Sequence, residues 1–185
     1  MKILGKSFYL RPLLKKDLSE EYFSWLKDRE VNQFLDVRFS VPDRKKAETN
    51  LEKYDNKKSF FFGVFDKKND KFIGTTTLQI DTINKIAYYG YLIGDKNYWG
   101  TNAGIDTIAL LMDFGFENFD INKIWGGTLI TNIGSIFNFK KLGFVQEGRL
   151  REHAIIDGKK IDRVVFGLLK KEWLEKRKKF NYQDI

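Results

Sequence analysis

Residues Tyr98–Glu117 read YWGTNAGIDTIALLMDFGFE. Small and turn-forming residues, Gly100 to Gly104, run directly into Ile105, Ile108, Met112 and Phe116 at helical spacing. A β-rich run ends just upstream, near Gly94, so the local pattern is strand, loop, helix. The first N–H groups of a helix have no intrahelical partner, and the helix dipole makes that end positive. Such a junction suits a pyrophosphate, and it serves equally as a plain strand-to-helix turn. The loop matches neither G-x-x-x-x-G-K-[ST] nor G-x-G-x-x-G, which excludes a Walker A loop and a dinucleotide fingerprint.

Upstream of this junction, "SFFFGVF", "KFIGTTTLQI" and "IAYYGYLIG" are separated by the turn clusters "DKKND" and "DTIN" and predict an antiparallel meander. Nearer the N-terminus, "SFYLRPL" predicts a first strand. Asp17 with Glu20 forms a capping-box signal for a helix whose Leu18, Tyr22, Trp25 and Leu26 share a face. A second helical piece is expected around Arg29–Leu35. A third helix has Ser40 as its cap, an early Pro42 and a stripe of Ala47, Leu51 and Tyr54. Downstream come the strand "KIWGGTLIT" and a short helix from Asn132 to Leu142. The runs "FVQEGRLREHAII" and "KKIDRVVFGLL" then flank Asp157-Gly158, a hairpin signal.

The chain has 185 residues, 42% of them hydrophobic and 16% aromatic, enough for one buried core and far from a disordered composition. One domain is expected over residues 1–169, followed by a solvated basic helical tail over 170–185 that carries "KKEWLEKRKK". No apolar run reaches the roughly 18 residues that span a bilayer, and "MKILGKSFYLRP" has too short an apolar core for a signal peptide, so a cytoplasmic protein is expected. The absence of Cys removes disulfides, thiolate nucleophiles and Cys-ligated metals, and a single His makes a His-based metal site improbable. No metal is therefore expected. A net charge of +8 favours an anionic partner, with nucleic acid given little weight and a phosphate-bearing small molecule or an acidic protein left open.

The element order and several motifs resemble the GNAT superfamily of N-acetyltransferases over almost the whole chain. The resemblance is closest to the branch of ribosomal-protein N-terminal, spermidine and amino-sugar acetyltransferases. It is carried by "YLIGDKNYWG" and by "NIGSIFNFKKLGFVQEGRLREH", with its Asn-x-x-Ser, Leu-Gly-Phe and Glu-Gly elements, followed by Asp-Gly. The fold so implied is a single-domain α/β (α+β) arrangement, a mixed, mostly antiparallel twisted sheet flanked by helices. The resemblance also implies acetyl-CoA as cosubstrate. Tyr91, Leu92 and Ile93 would pair with the pantetheine arm, and Trp99, Gly100, Thr101, Asn102, Ala103, Gly104 and Ile105 would cradle the pyrophosphate. Asn132 and Ser135 would face the thioester, with Phe139 close by. Two departures stand out. Asn102 replaces a usual Gly, so a positive φ is expected there, and Phe139 replaces a Tyr that protonates the departing thiolate. Ser135 is thus the expected donor, and Asn132 also stands where an N-cap is wanted.

Direct transfer needs a neutral amine, donors for the oxyanion and an acceptor for the amine proton. Backbone N–H groups near Leu92 and Ile93 can serve the oxyanion. For the base, Glu152 is favoured narrowly, acting through water, over His153. Neighbours on a strand face opposite ways, so one of the two is expected to enter the slot. Asp81, Asp95 and Asp36 are further carboxylates for that role. Asp36 and Arg38, in "FLDVRFS", are expected on the acceptor side, and Asp162 either contacts the acceptor or pairs with a neighbouring cation. The acceptor is a primary amine of an amino sugar or polyamine, or a protein N-terminus, and the protein a monomer or homodimer. The competing reading is a non-catalytic CoA-binding or nucleic-acid-associated module.

Overall fold

The structure, a computed structural model, describes residues 1–35 and 42–179. Asp36, Arg38 and Ser40, expected at the acceptor side and at a helix cap, lie outside the described residues. The described strands are β1 (Ile3–Leu4), β2 (Phe8–Pro12), β3 (Ser59–Asp66), β4 (Phe72–Asp81), β5 (Ile86–Ile93), β6 (Lys123–Leu129), β7 (Val145–Ile156) and β8 (Lys159–Leu169). The helices are α1 (Glu20–Lys27), α2 (Arg29–Asn32), α3 (Arg44–Leu51), α4 (Ala103–Asn118), α5 (Ile133–Lys141) and α6 (Lys170–Lys179). One sheet runs β1-β2-β3-β4-β5-β6-β8-β7. Neighbours are antiparallel except β5 and β6. This is the single-domain, mostly antiparallel α/β fold that the sequence implies.

Period-2 alternation sorts the sheet's two faces. On one face Phe60, Phe62, Ile73, Leu78, Ile124, Phe166 and Leu168 pack with Ile108, Leu111 and Met112 of α4 in the larger apolar cluster. On the other, Leu18, Tyr22, Trp25 and Leu26 of the α1 segment and Val31 of α2 form a smaller cluster, with Phe61, Phe72 and Leu92 against it. The hairpin between β7 and β8 turns at Asp157 (φ 47°) and Gly158 (φ 75°), the two left-handed residues of a type I′ turn.

Local chemistry departs from the expected caps in two places. Asp43 caps α3 in place of the expected Ser40, its Oδ1 accepting from Lys46 N–H at 2.7 Å. Ser19, not Asp17, caps α1, its Oγ accepting from Tyr22 N–H at 3.2 Å. Asp17 instead accepts from Leu14 N–H at 2.8 Å and holds Arg11 through two hydrogen bonds of 2.7 and 2.8 Å. Both residues fit a capping pattern, and the short 3-10 turn at Lys15–Asp17 decides between them. The basic C-terminal helix does not lie free on the surface. Trp173 is 1% exposed, belongs to the larger cluster, and donates through Nε1 to Asp113 of α4 at 2.8 Å.

Candidate active site

The parallel pair β5 and β6 is bonded only over Ile86–Lys123, Ala87–Ile124 and Tyr88–Trp125. Beyond that point each strand stays held on its far side: β5 by β4 up to Ile93, β6 by β8 up to Leu129. With no mutual bonds past Tyr88 and Trp125, the pair splits. A cleft of about 1100 Å³ opens there, lined by Tyr88 to Ile93 on one wall and by Gly127, Thr128, Asn132 and Ser135 on the other. The loop quoted at the outset lies along the same cleft through Tyr98, Trp99, Gly100, Thr101, Asn102, Gly104 and Ile105.

That loop is shaped by its own hydrogen bonds. Trp99 Nε1 donates to the Ile93 carbonyl at 2.8 Å, and Thr101 Oγ1 accepts from Ala103 N–H at 3.2 Å. No side chain caps α4 at Asn102, and the first intrahelical bond to it comes from Asp106 N–H at 2.8 Å. The N–H groups of Gly104 and Ile105 therefore precede the helix's regular bonding at its positive end. The left-handed residue of the loop is Gly100 (φ +73°), while Asn102 sits at φ −79°. This corrects the expectation for Asn102, because the turn reverses two residues earlier and leaves Asn102 in a region open to any residue.

Asn132 caps α5, its Oδ1 accepting from Ser135 N–H at 3.1 Å, and lines the cleft as well. Capping and exposure to the cleft thus coexist. Ser135 is buried, and its side chain meets the Tyr91 hydroxyl, which also accepts from Asn138 Nδ2 at 2.9 Å. Burial pushes the Tyr91 phenol up, and the bonds to Ser135 and Asn138 pull the other way. Phe139 is 3% exposed, stacks on Phe166 at 4.5 Å and meets Tyr89 edge-on at 5.7 Å.

Glu152 and His153 are not among the residues lining the cleft; both are exposed on β7. The register of β7 shifts between Leu150 and Ala154, and Glu152 takes a left-handed φ of 51°, so simple alternation fails at these residues. Glu152 pairs with Lys160 at 2.6 Å, and its N–H donates to Asp162 at 2.8 Å. Asp162 pairs with Arg149 at 2.5 Å, and the Glu152 N–H and Arg149 hold its carboxyl below the usual range. Asp81 caps the turn at Ile83 and Asn84, and Asp95 pairs with Lys71 at 2.6 Å. Among the described residues, the carboxylate that lines the cleft is Glu30 of α2, paired with Lys96 at 2.6 Å.

Sequence reasoning missed Tyr88, Tyr89, Asn138, Arg163 and the threonines Thr75 to Thr77, all of which line the cleft. Strand alternation carried part of the signal: buried Val164 and Phe166 face the larger cluster, which turns Arg163 to the other side. Nothing local marks Tyr89, because its role depends on where two strands part.

A slot between splayed parallel strands thus lies beside a helix start whose first N–H groups lack intrahelical partners. A model of the GNAT acetyltransferase domain matches residues 7–145, and the chain belongs to that family. It is 29% identical over 173 residues to "Probable N-acetyltransferase YjcK" of Bacillus subtilis, covering 89% of this chain and 95% of that protein. Identity to the [Ribosomal protein uS5]-alanine N-acetyltransferase of Escherichia coli is 26% over 117 residues, 62% of this chain and 60% of that one. The spermidine N-acetyltransferase of Vibrio cholerae, solved with CoA and spermine, superposes with a TM-score of 0.80 at 22% identity over 92% of this chain and 99% of that chain. The protein is an acetyltransferase, and the reading as a non-catalytic module is set aside. Among the described residues no helix is long and apolar enough to cross a membrane.

Proposed function

We propose that this acetyltransferase uses acetyl-CoA and passes the acetyl group directly to a primary amine, on a small molecule such as an amino sugar or polyamine, or at a protein N-terminus. The observation that carries this reading is the split of β5 from β6 beside the uncapped N-terminus of α4. An extended cosubstrate with a pyrophosphate fits there: main-chain N–H groups of Gly104 and Ile105 meet the phosphates, and the free edge of β5 at Tyr91 to Ile93 meets the amide-bearing arm. The cosubstrate supplies an activated acyl carbon and a thiolate leaving group. The solved Vibrio relative binds CoA and spermine, and the E. coli relative acts on a ribosomal protein alanine, which supports an amine acceptor of either kind.

The chain's own residues position and desolvate. Phe139, Phe144 and Tyr89 exclude water from the inner end of the slot. The acceptor enters from the side of α1 and α2, where Tyr22, Leu26 and Val31 line the opening. Amine deprotonation is the larger burden near neutral pH, since an alkylamine titrates near about 10 and a thiol near about 8.5. Water at this open mouth takes that proton, with Glu30 the adjacent carboxylate; the exposed positions of Glu152 and His153 weigh against either as base. Ser135, buried and coupled to Tyr91, contributes a hydroxyl to the thioester end.

The test is release of free CoA thiol together with a gain of one acetyl group, followed by mass spectrometry across an amine panel. Transfer to at least one amine class is expected, with no lasting acetyl adduct on the protein when acceptor is omitted. A kinetically competent acetyl-enzyme would overturn direct transfer, and failure of CoA to bind would overturn the whole reading. Ser135→Ala should lower kcat about 10-fold to 100-fold, with less change in KM for acetyl-CoA.

A further inference from the structure

Tyr89 is the first residue of β5 past its last bonded pair with β6, at the apex of the split. Its ring is 2% exposed and is held by three contacts: Phe139 at 5.7 Å, Phe144 at 5.7 Å and the backbone of Gly126. A methyl group at Gly126 would come within 2.9 Å of the Tyr89 ring, so glycine at that point of β6 makes the space for the phenol. These three contacts are apolar or main-chain. Yet the hydroxyl has no hydrogen-bond partner, and the residue lines the cleft.

A buried hydroxyl without a partner forfeits the bonds it makes to water in the unfolded chain, and Phe would fill the same volume without that loss. The unpartnered donor therefore calls for an acceptor atom that arrives with a ligand. Resting on the function proposed above, we infer that the Tyr89 hydroxyl donates a hydrogen bond to the sulfur of CoA and stabilises the thiolate as it departs. As the amine nitrogen bonds to the acetyl carbon, the carbon–sulfur bond breaks and its electron pair stays on sulfur. The Tyr89 O–H hydrogen-bonds to that thiolate and keeps its own proton. The thiolate leaves to solvent, where it takes up the proton that water accepted from the amine. The sum is amine plus thioester giving amide plus thiol, with no oxidant or further reactant.

Two neighbouring groups and the burial of Tyr89 itself fit this division of labour. Phe139, edge-on to Tyr89, carries no proton to give. The Tyr91 hydroxyl is already engaged by Asn138 at 2.9 Å and by Ser135. Burial, with the Tyr91 and Tyr88 phenols adding to it, holds the Tyr89 hydroxyl well above its ordinary value of 10.0. It thus stays protonated across the working pH range, fit to donate a hydrogen bond and unfit to release its proton or to act as the amine's base.

The experiment measures CoA affinity by calorimetry on the full chain across the thiol's titration near about pH 8.5, in the native protein and in Tyr89→Phe, alongside kcat. The native protein should favour the thiolate, so its affinity for CoA rises through that range; in Tyr89→Phe most of the rise should vanish. The same variant should lose about 10-fold to 100-fold in kcat with a smaller change in KM for acetyl-CoA. Adding Phe139→Tyr to Tyr89→Phe should restore part of both, a rescue that a packing role would not produce. Equal pH dependence of CoA affinity in the two proteins overturns the assignment; if kcat alone falls, the hydroxyl serves the carbonyl oxygen instead. Were CoA not to bind the native protein at all, the proposed function would fail with it, a result distinct from binding that ignores Tyr89.

Discussion

The two sides of the cleft are built differently. The side along α4 rests on the larger cluster, in which Leu111, Met112 and Ile108 are fully buried and Trp173 of the last helix closes the far end. What it offers a ligand is mostly main chain: the free edge of β5 and the start of α4. The side under α1 and α2 rests on a cluster of seven buried residues, and it offers side chains such as Tyr22, Leu26 and Val31. Backbone groups recognise what every substrate of such an enzyme shares, and they are held in place by a core that cannot shift cheaply. Side chains on short helices can change without disturbing that core. One face can therefore stay constant while the other selects the acceptor.

Truncation sharpens this contrast most. Trp173→Ala should cost about 3–5 kcal/mol of global stability, the range for deleting a buried aromatic, and reduce CoA binding as α4 loosens. Leu26→Ala should cost about 2–3 kcal/mol and raise KM for the acceptor while CoA affinity stays nearly unchanged. Chemical denaturation and calorimetric CoA titration on both variants check the pair; equal losses of CoA affinity would erase the distinction between the two sides.

The loop gives a smaller effect that separates two adjacent readings of it. At Gly100 (φ +73°) a β-branched residue is strained by about 1–2 kcal/mol, so Gly100→Val should weaken CoA about tenfold. Asn102→Val, at φ −79°, escapes that strain and should bind within a small factor of the native protein. Reversed effects would return the left-handed position to Asn102.

The smallest effect lies at the Arg11–Asp17 pair, just before α1, and depends on pH. Burial raises the Asp17 carboxyl, but the Arg11 bond, the Leu14 N–H and the Arg11 charge outweigh it and leave the carboxyl lowered. A carboxylate lowered on folding adds stability that is present above its unfolded value of about 3.9 and is lost as pH falls through the lower folded value. Asp17→Asn should remove about 1 kcal/mol at neutral pH and flatten the acid limb of the stability curve below about pH 4. An acid limb identical to the native one would show that the pair contributes nothing net.

Much of this was legible in local sequence. Helical spacing at Ile105, Ile108, Met112 and Phe116 identified α4, the Asp157-Gly158 pair identified the hairpin, and Asn132 identified the start of α5, because each depends on neighbours within a few positions. Spacing could not choose between Asp17 and Ser19 as a cap, since either oxygen can accept from a nearby N–H until the chain's path is fixed.

What the sequence by itself determined is the order of the main elements from β2 onward, the sidedness of the regular strands and the strand–loop–helix junction, all consequences of periods of 2 and 3.6 residues and of turn chemistry. Tertiary structure alone decided that β5 and β6 part after Tyr88 and Trp125, that Gly100 takes the left-handed turn, and that Trp173 anchors the basic helix. It also placed Glu152 and His153 on an exposed, irregular edge and the Tyr89 hydroxyl at the apex of the slot. The physical reason is the same in each case. Where strands separate, which residue a bulge displaces and which hydroxyl is left without a partner are set by hydrogen bonds and packing between segments far apart in the chain, and no local pattern encodes them.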